Sequence, residues 1–195
     1  MQIEIKLDEK RLREVQLMLR DIPRGMQTVM SRAINKTATS VRAEVVREIS
    51  KKVNLKQKDI RDDITISKAT WTKWAASVNL SRRRHGLIRF GARQTSKGVS
   101  YKIEKADGRK TIKHAFIAAP NFGENVWVRE SVSGSDKLVP RLPIRRLQGP
   151  SIGEVFKRAV WLVQQTYAKA QTTLEKNINV QIELMLDKLQ KAKAA

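Results

Sequence analysis

The chain has no cysteine among its 195 residues. That removes disulfide frameworks, thiolate zinc sites and cysteine nucleophiles together. Its two histidines, His85 and His114, leave little material for a metal centre or a proton relay. No stretch free of Asp, Glu, Lys and Arg exceeds ten residues; the longest are His114–Gly123 and Ala159–Ala168. A membrane helix needs about 20 apolar residues, so no span is expected. The start, Met1-Gln2-Ile3-Glu4-Ile5-Lys6, is not followed by the apolar stretch of a secretory signal. The expected place is a cytoplasm, or a particle assembled there. No P-loop and no Gly-rich dinucleotide turn occurs, so no cofactor is expected.

Acids are in short supply: 19 Asp and Glu stand against 40 Lys and Arg, a net charge of +21. Hydrophobic residues reach 41%, enough for a folded core. Such a balance points to a polyanion or to an acidic protein ring as partner. The excess is uneven. Residues 81–113 hold eleven basic and two acidic residues, net +9. Arg82, Arg83 and Arg84 head this block, followed by Arg89, Arg93, Lys97, Lys102, Lys105, Arg109, Lys110 and Lys113. The only acids inside it, Glu104 and Asp107, cannot neutralise the arginine cluster. A contact to the backbone of duplex DNA through Arg82, Arg83, Arg84, Arg89, Arg93, Lys97, Lys102, Arg109 and Lys110 is expected. The competing reading is a solvated hairpin that adds only solubility. Phe90 and Tyr101 are too few to stack bases.

Periodicity supplies the elements. Leu12, Val15 and Leu19 mark a short helix over 8–20, which Pro23 and Gly25 interrupt. Met30, Ala33, Ile34, Thr37, Val41, Val45 and Ile49 mark a long helix over 26–50. Asn54 has the chemistry of an N-cap for a helix over 55–61. Short strands are expected over 64–66, 74–80, 87–90, 99–103, 111–117, 126–129 and 142–147, with turns at Gly86, 97–98, 107–108, 121–123 and 133–136. Ser151 and Glu154 have capping-box spacing, opening a helix that should exceed 35 residues. The fold class is therefore α+β: an antiparallel meander packed with a long N-terminal and a long C-terminal helix. Residues 1–165 are expected to form the domain. Residues 166–195 would continue the long helix towards another subunit or project.

Enzyme signatures fail on inspection. Gly149-Pro150-Ser151-Ile152-Gly153 matches G-x-S-x-G between a strand and a helix. A nucleophile elbow of that kind needs a later histidine, and none follows His114. Asp59, Asp62 and Asp63 could hold a hard cation, but a solvated group, or one paired with Lys58 and Arg61, is the simpler expectation. Asp8-Glu9-Lys10 lacks a convincing second acid for a nuclease. Trp71, Trp74, Trp127 and Trp161 read as core or subunit contacts. No catalytic and no metal-binding residue is assigned.

Three stretches carry a further signal. One is Met30-Ser31-Arg32-Ala33-Ile34-Asn35-Lys36-Thr37-Ala38 at the head of the long helix. The second is the order of basic hairpin, His114-Ala115-Phe116-Ile117 and Val126-Trp127-Val128-Arg129-Glu130. The third is Leu142-Pro143-Ile144-Arg145-Arg146-Leu147-Gln148-Gly149-Pro150-Ser151, followed by Phe156. Together, over roughly residues 26–165, they resemble the minor tail protein Z family of lambda-like, long-tailed bacteriophages. The resemblance implies a structural virion protein that completes the head-proximal end of a tail, so that head joins tail and DNA is positioned in the tube. It brings no catalytic residues. The partners it implies are tail-terminator, tail-tube or head-tail connector proteins. Long helices beyond one domain's needs suit a homo-oligomeric ring, six copies being one stoichiometry. The alternative is a sequence-independent nucleic-acid-binding protein outside any particle.

Overall fold

A computed structural model describes residues 1–20, 22–119, 123–129 and 143–194, with only the backbone described for the last three of these. The turn expected at 133–136, most of that at 121–123 and the start of the strand expected over 142–147 lie outside the described residues. The architecture is α+β, about half helix and a quarter strand, with every strand pairing antiparallel. The chain divides into two compact units. The first comprises Met1–Val46, Ile64–Ser81 and Phe156–Ala195; the second comprises Arg47–Asp63 and Arg82–Val155.

The first unit packs a sheet of order β1-β3-β2 with three helices. β1 is Gln2–Ile5, β2 Ile64–Ser67 and β3 Ala76–Leu80. Alternation buries Ile3 and Ile5 on β1 and Ala76, Val78 and Leu80 on β3. α1 (Glu9–Met18) starts at Asp8, whose Oδ1 accepts the Arg11 N–H at 2.8 Å. Pro23 and the left-handed Arg24 (φ 58°) then turn the chain into α2, Gly25–Lys52. α5 runs from Val160 to Ala194 and lies antiparallel to α2. Lys169 Nζ reaches Glu44 at 2.6 Å, and Asn177 Nδ2 donates to Thr37 Oγ1 at 2.9 Å. Ala33, Ile34, Ala38, Val41 and Val45 of α2 and Leu162, Ala170, Leu174 and Ile178 of α5 are all buried in this core. Burying each Leu or Ile contributes roughly 1.5–3 kcal/mol. The expected boundary at residue 165 falls inside α5.

The second unit is built from short pieces: the end of α2, α3 (Gln57–Asp62), and three small sheets. β4 (Arg84–Gly86) pairs with β11 (Gln148–Ser151). β5 (Arg93–Thr95), β6 (Gly98–Tyr101) and β7 (Lys110–Lys113) form the second sheet. β8 (Phe116–Ala118), β9 (Asn125–Arg129) and β10 (Ile144–Arg146) form the third.

Several expectations are corrected here. Leu87–Phe90 is a 3-10 turn, not a strand, ended by left-handed Gly91 (φ 64°). The strand expected over 111–117 is two strands, because His114 adopts φ 59° and breaks the pleat. Asn54 does not cap α3, whose N-cap position is Lys56, with no side-chain cap bond. Asn54 Nδ2 instead donates to the Phe90 and Lys102 carbonyls, both at 3.2 Å, tying the 3-10 turn to the chain just beyond Tyr101. The long C-terminal helix is broken at Ala159, between α4 (Ile152–Arg158) and α5. Ala159 N–H donates back to Phe156 O, a three-residue closure that tightens the turn.

Candidate nucleic-acid interface

The basic block lies in the second unit, and register fixes which of its side chains share a face. Arg93 stands opposite Ser100 and Ser100 opposite Thr111; Thr95 stands opposite Gly98 and Gly98 opposite Lys113. These six positions line one polar face of the β5-β6-β7 sheet. Buried Val99 and half-buried Ile112 lie on the other. Lys97 sits in the tight turn between β5 and β6. Gly98 (φ 143°) is required there, since a Cβ would come within 2.0 Å of the Ile112 carbonyl.

Arg109 is committed to the fold. Its Nη2 donates to Gly91 O at 2.6 Å and to Ser100 O at 3.0 Å. Lys110 Nζ lies 3.6 Å from Asp107. Lys102 is half-buried, whereas Arg82, Arg93 and Lys97 are exposed, with no side-chain partner among the described residues.

The arginine cluster is not isolated from acids, contrary to expectation. A cleft of about 390 Å³ gathers Arg83, Arg84, Arg89 and Arg146 with Asp59, Asp62 and Asp63. Arg89 Nη1 meets Asp59 Oδ1 at 2.8 Å, and Arg84 Nη2 meets Glu154 Oε1 at 3.1 Å. His85, which is buried, places Nε2 2.8 Å from Asp63 Oδ2. Four guanidinium groups thus face three aspartates, with Glu154 as a fourth carboxylate bound to one of them. The cleft is close to neutral and has little field with which to draw in a polyanion. Among the described residues, the cations on the β5-β6-β7 face and its turn, together with Arg82, could meet phosphate at no cost to an existing pair.

Ser151 N–H donates to Glu154 Oε2 at 3.1 Å, and Glu154 N–H donates to Ser151 Oγ at 3.2 Å, the two reciprocal bonds of a capping box. The serine of the G-x-S-x-G match is buried and its hydroxyl holds the start of α4. Among the described residues no group of three or more His, Asp or Glu is placed to hold a metal ion, and no helix is long and apolar enough to cross a membrane.

Residues 10–189 match the family model described as prophage minor tail protein Z (GPZ). The chain belongs to this family. It is a phage minor tail protein with a structural role, located in the tail of the virion. No curated protein and no solved structure matches it. The stretches through which the sequence resembles minor tail protein Z have local physical reasons. Asn35 makes a two-way bond to the backbone of Ala69, donating to its carbonyl at 3.0 Å and accepting its N–H at 2.8 Å, while Ala33 and Ile34 are buried. Gly149 lies against Phe90, whose ring would be 2.4 Å from any Cβ added there. The register of β11 shifts between Gln148 and Ser151, where Pro150 has no N–H to give the ladder.

Sequence reasoning missed the roles of His85, Asp63 and Arg146 in the cleft. Asp63 and His85 are 22 positions apart and Arg146 comes far later, so no local spacing signals them. The only hint was the excess of aspartate at 59–63.

Proposed function

We propose that this minor tail protein completes the head-proximal end of the tail as a homo-oligomeric ring, six copies being one stoichiometry. Assembly in the host cytoplasm would join it to tail-terminator, tail-tube or head-tail connector proteins. The exposed cations of the second unit would then meet the backbone of DNA at the particle axis. The observation that carries the reading is the membership of a tail protein family in a chain with a polar sheet face bearing Arg93 and Lys113, flanked by Lys97. Charge without base-edge contacts supports positioning, not sequence reading.

The test is the salt dependence of duplex DNA binding. Each phosphate contact contributes a slope of about −0.9 in log K against log salt. Replacing Arg82, Arg93 and Lys97 with Gln should flatten the slope by up to about 2.7. An unchanged slope and affinity in the folded variant would leave these residues as solubilising charges only.

A further inference from the structure

The connection between β2 and β3 in the first unit is built more rigidly than a loop at a surface needs to be. Asn35 clamps Ala69 through the two bonds described above. Thr70 N–H donates to Lys73 O at 2.9 Å, and Lys73 N–H donates to Thr70 Oγ1 at 3.1 Å. Trp74 Nε1 donates to Trp71 O at 3.0 Å. The Arg24 guanidinium stands 5.9 Å from the centre of the Trp71 ring, on a residue held in the left-handed region. At the apex Trp71 itself remains 55% exposed. An indole held out on a braced loop loses little freedom when it is buried, which is what makes tryptophan an interface anchor. The loop is also of one sign: Lys68 and Lys73 flank Trp71 in sequence, Arg24 stands at its ring, and no acid occurs between Ile64 and Leu80.

The same unit carries a receptor of matching character. A groove of about 320 Å³ lies between the end of β1 and α5. Ile5, Leu7, Tyr167 and Leu174 supply its apolar lining, and Glu4 and Asp8 its carboxylates against the single cation Lys6. Trp71 does not line this groove, so a Trp71 seated in it would come from another molecule.

We propose that the Trp71 loop is a knob that seats in the β1–α5 groove of a second copy of this chain. Apolar contact would supply the affinity, and three cations meeting two carboxylates would set the orientation. Two different patches, one on each side of the contact, make a heterologous interface, which closes into a ring when the rotation permits. The inference rests on the ring reading above and names its interface.

The absence of cysteine makes the test direct, since any cysteine added is the only one. Thr72→Cys marks the knob and Gln171→Cys, an exposed groove residue, marks the receptor. Mixed under mild oxidation, the two full-length variants should give a disulfide-linked dimer. The yield should exceed by at least tenfold that of either alone, or of Thr72→Cys mixed with Lys105→Cys, an exposed position of the second unit, as control. Adding Trp71→Ala to the knob chain should remove that excess. Lys73→Glu in the knob chain should lower it, and Glu4→Lys in the receptor chain should restore it. Circular dichroism on each variant reports folding, and the charge swap keeps the proposal testable should Trp71→Ala misfold. Oligomers by sedimentation without the cross-link would overturn this interface and leave the ring standing. Monomer alone at every concentration, and with tail proteins present, would overturn both. Cross-linking of Thr72→Cys only to a different tail protein would overturn the assignment to a second copy.

Discussion

The two units of this minor tail protein present opposite surfaces. Every large hydrophobic side chain exposed among the described residues belongs to the first unit: Leu17, Met18, Trp71, Val160, Trp161, Tyr167, Leu184 and Leu186. Among its described residues the second unit exposes none of that size, and most of those exposed are charged or polar. The first is made of long helices whose apolar stripes fill one core, with apolar residues left over at the far end of α5. The second is made of three- to five-residue strands around a few fully buried anchors such as Phe90, Ile60 and Val99. The lesson is a division of labour by chemistry. Apolar surface suits protein neighbours, and fixed charge suits a polyanion.

The comparison is broken most severely at Gly98. Gly98→Ala forces a Cβ against the Ile112 carbonyl in a backbone region that L-residues avoid. It should cost about 3 kcal/mol or more, summing overpacking and backbone strain. In thermal unfolding the β5-β6-β7 sheet should lose protection from hydrogen exchange, while α2 and α5 keep theirs. Equal loss in both units would mean that they unfold as one.

Next in size is Asn35→Ala. It removes two bonds to Ala69 and leaves that residue's buried backbone groups unsatisfied, a cost of roughly 1–3 kcal/mol. Hydrogen exchange at the Ala69 amide should accelerate at least tenfold, with DNA binding unchanged. Slow exchange in the variant would show that the loop is held by something other than Asn35.

The smallest effect separates two kinds of arginine within the second unit. Arg89→Gln breaks a half-exposed pair with Asp59 and should destabilise by no more than about 1 kcal/mol. Arg82→Gln breaks no pair among the described residues and should stay within about 0.5 kcal/mol of the parent. For DNA the order reverses: Arg82→Gln should flatten the salt slope and Arg89→Gln should not. Identical effects of both would erase the distinction between fold-bound and free cations.

Long helices were legible because a 3.6 period repeated over six or more apolar positions is hard to produce otherwise. α1 and α2 follow the spacing of Val15, Leu19, Met30, Ile34, Val41 and Val45. The break at Ala159 was not legible, since the apolar period continues through Phe156, Ala159 and Leu162. β4 and β5 were missed for a different reason. Arg93-Gln94-Thr95 has no buried residue and is a strand only because β6 offers it hydrogen-bonding partners. The aspartates of 59–63 were read locally, against Lys58 and Arg61. The partners found for Asp59 and Asp63, Arg89 and His85, arrive from 30 and 22 positions later, which local pattern cannot reveal. Asn54 failed as a cap on the same ground: tertiary carbonyls outbid the helix end.

The Thr37–Asn177 bond has a consequence in time. Its two residues are 140 positions apart in a chain that emerges from the ribosome from the N-terminal end. At about 5–20 residues per second, roughly 7–28 s separate the synthesis of α2's apolar stripe from that of the α5 residues that cover it. During that interval Ile34, Val41 and Val45 have no α5 to pack against, and by its end the chain from β4 to β11 of the second unit has been made. The first unit therefore finishes last, although its long helix is among the first elements synthesised. The buried Thr–Asn pair then acts as a registration check on the late arrival: Thr37 keeps its bond to the Ala33 carbonyl whatever α5 does, but a slip of α5 by one turn would take the buried Asn177 amide away from Thr37 Oγ1.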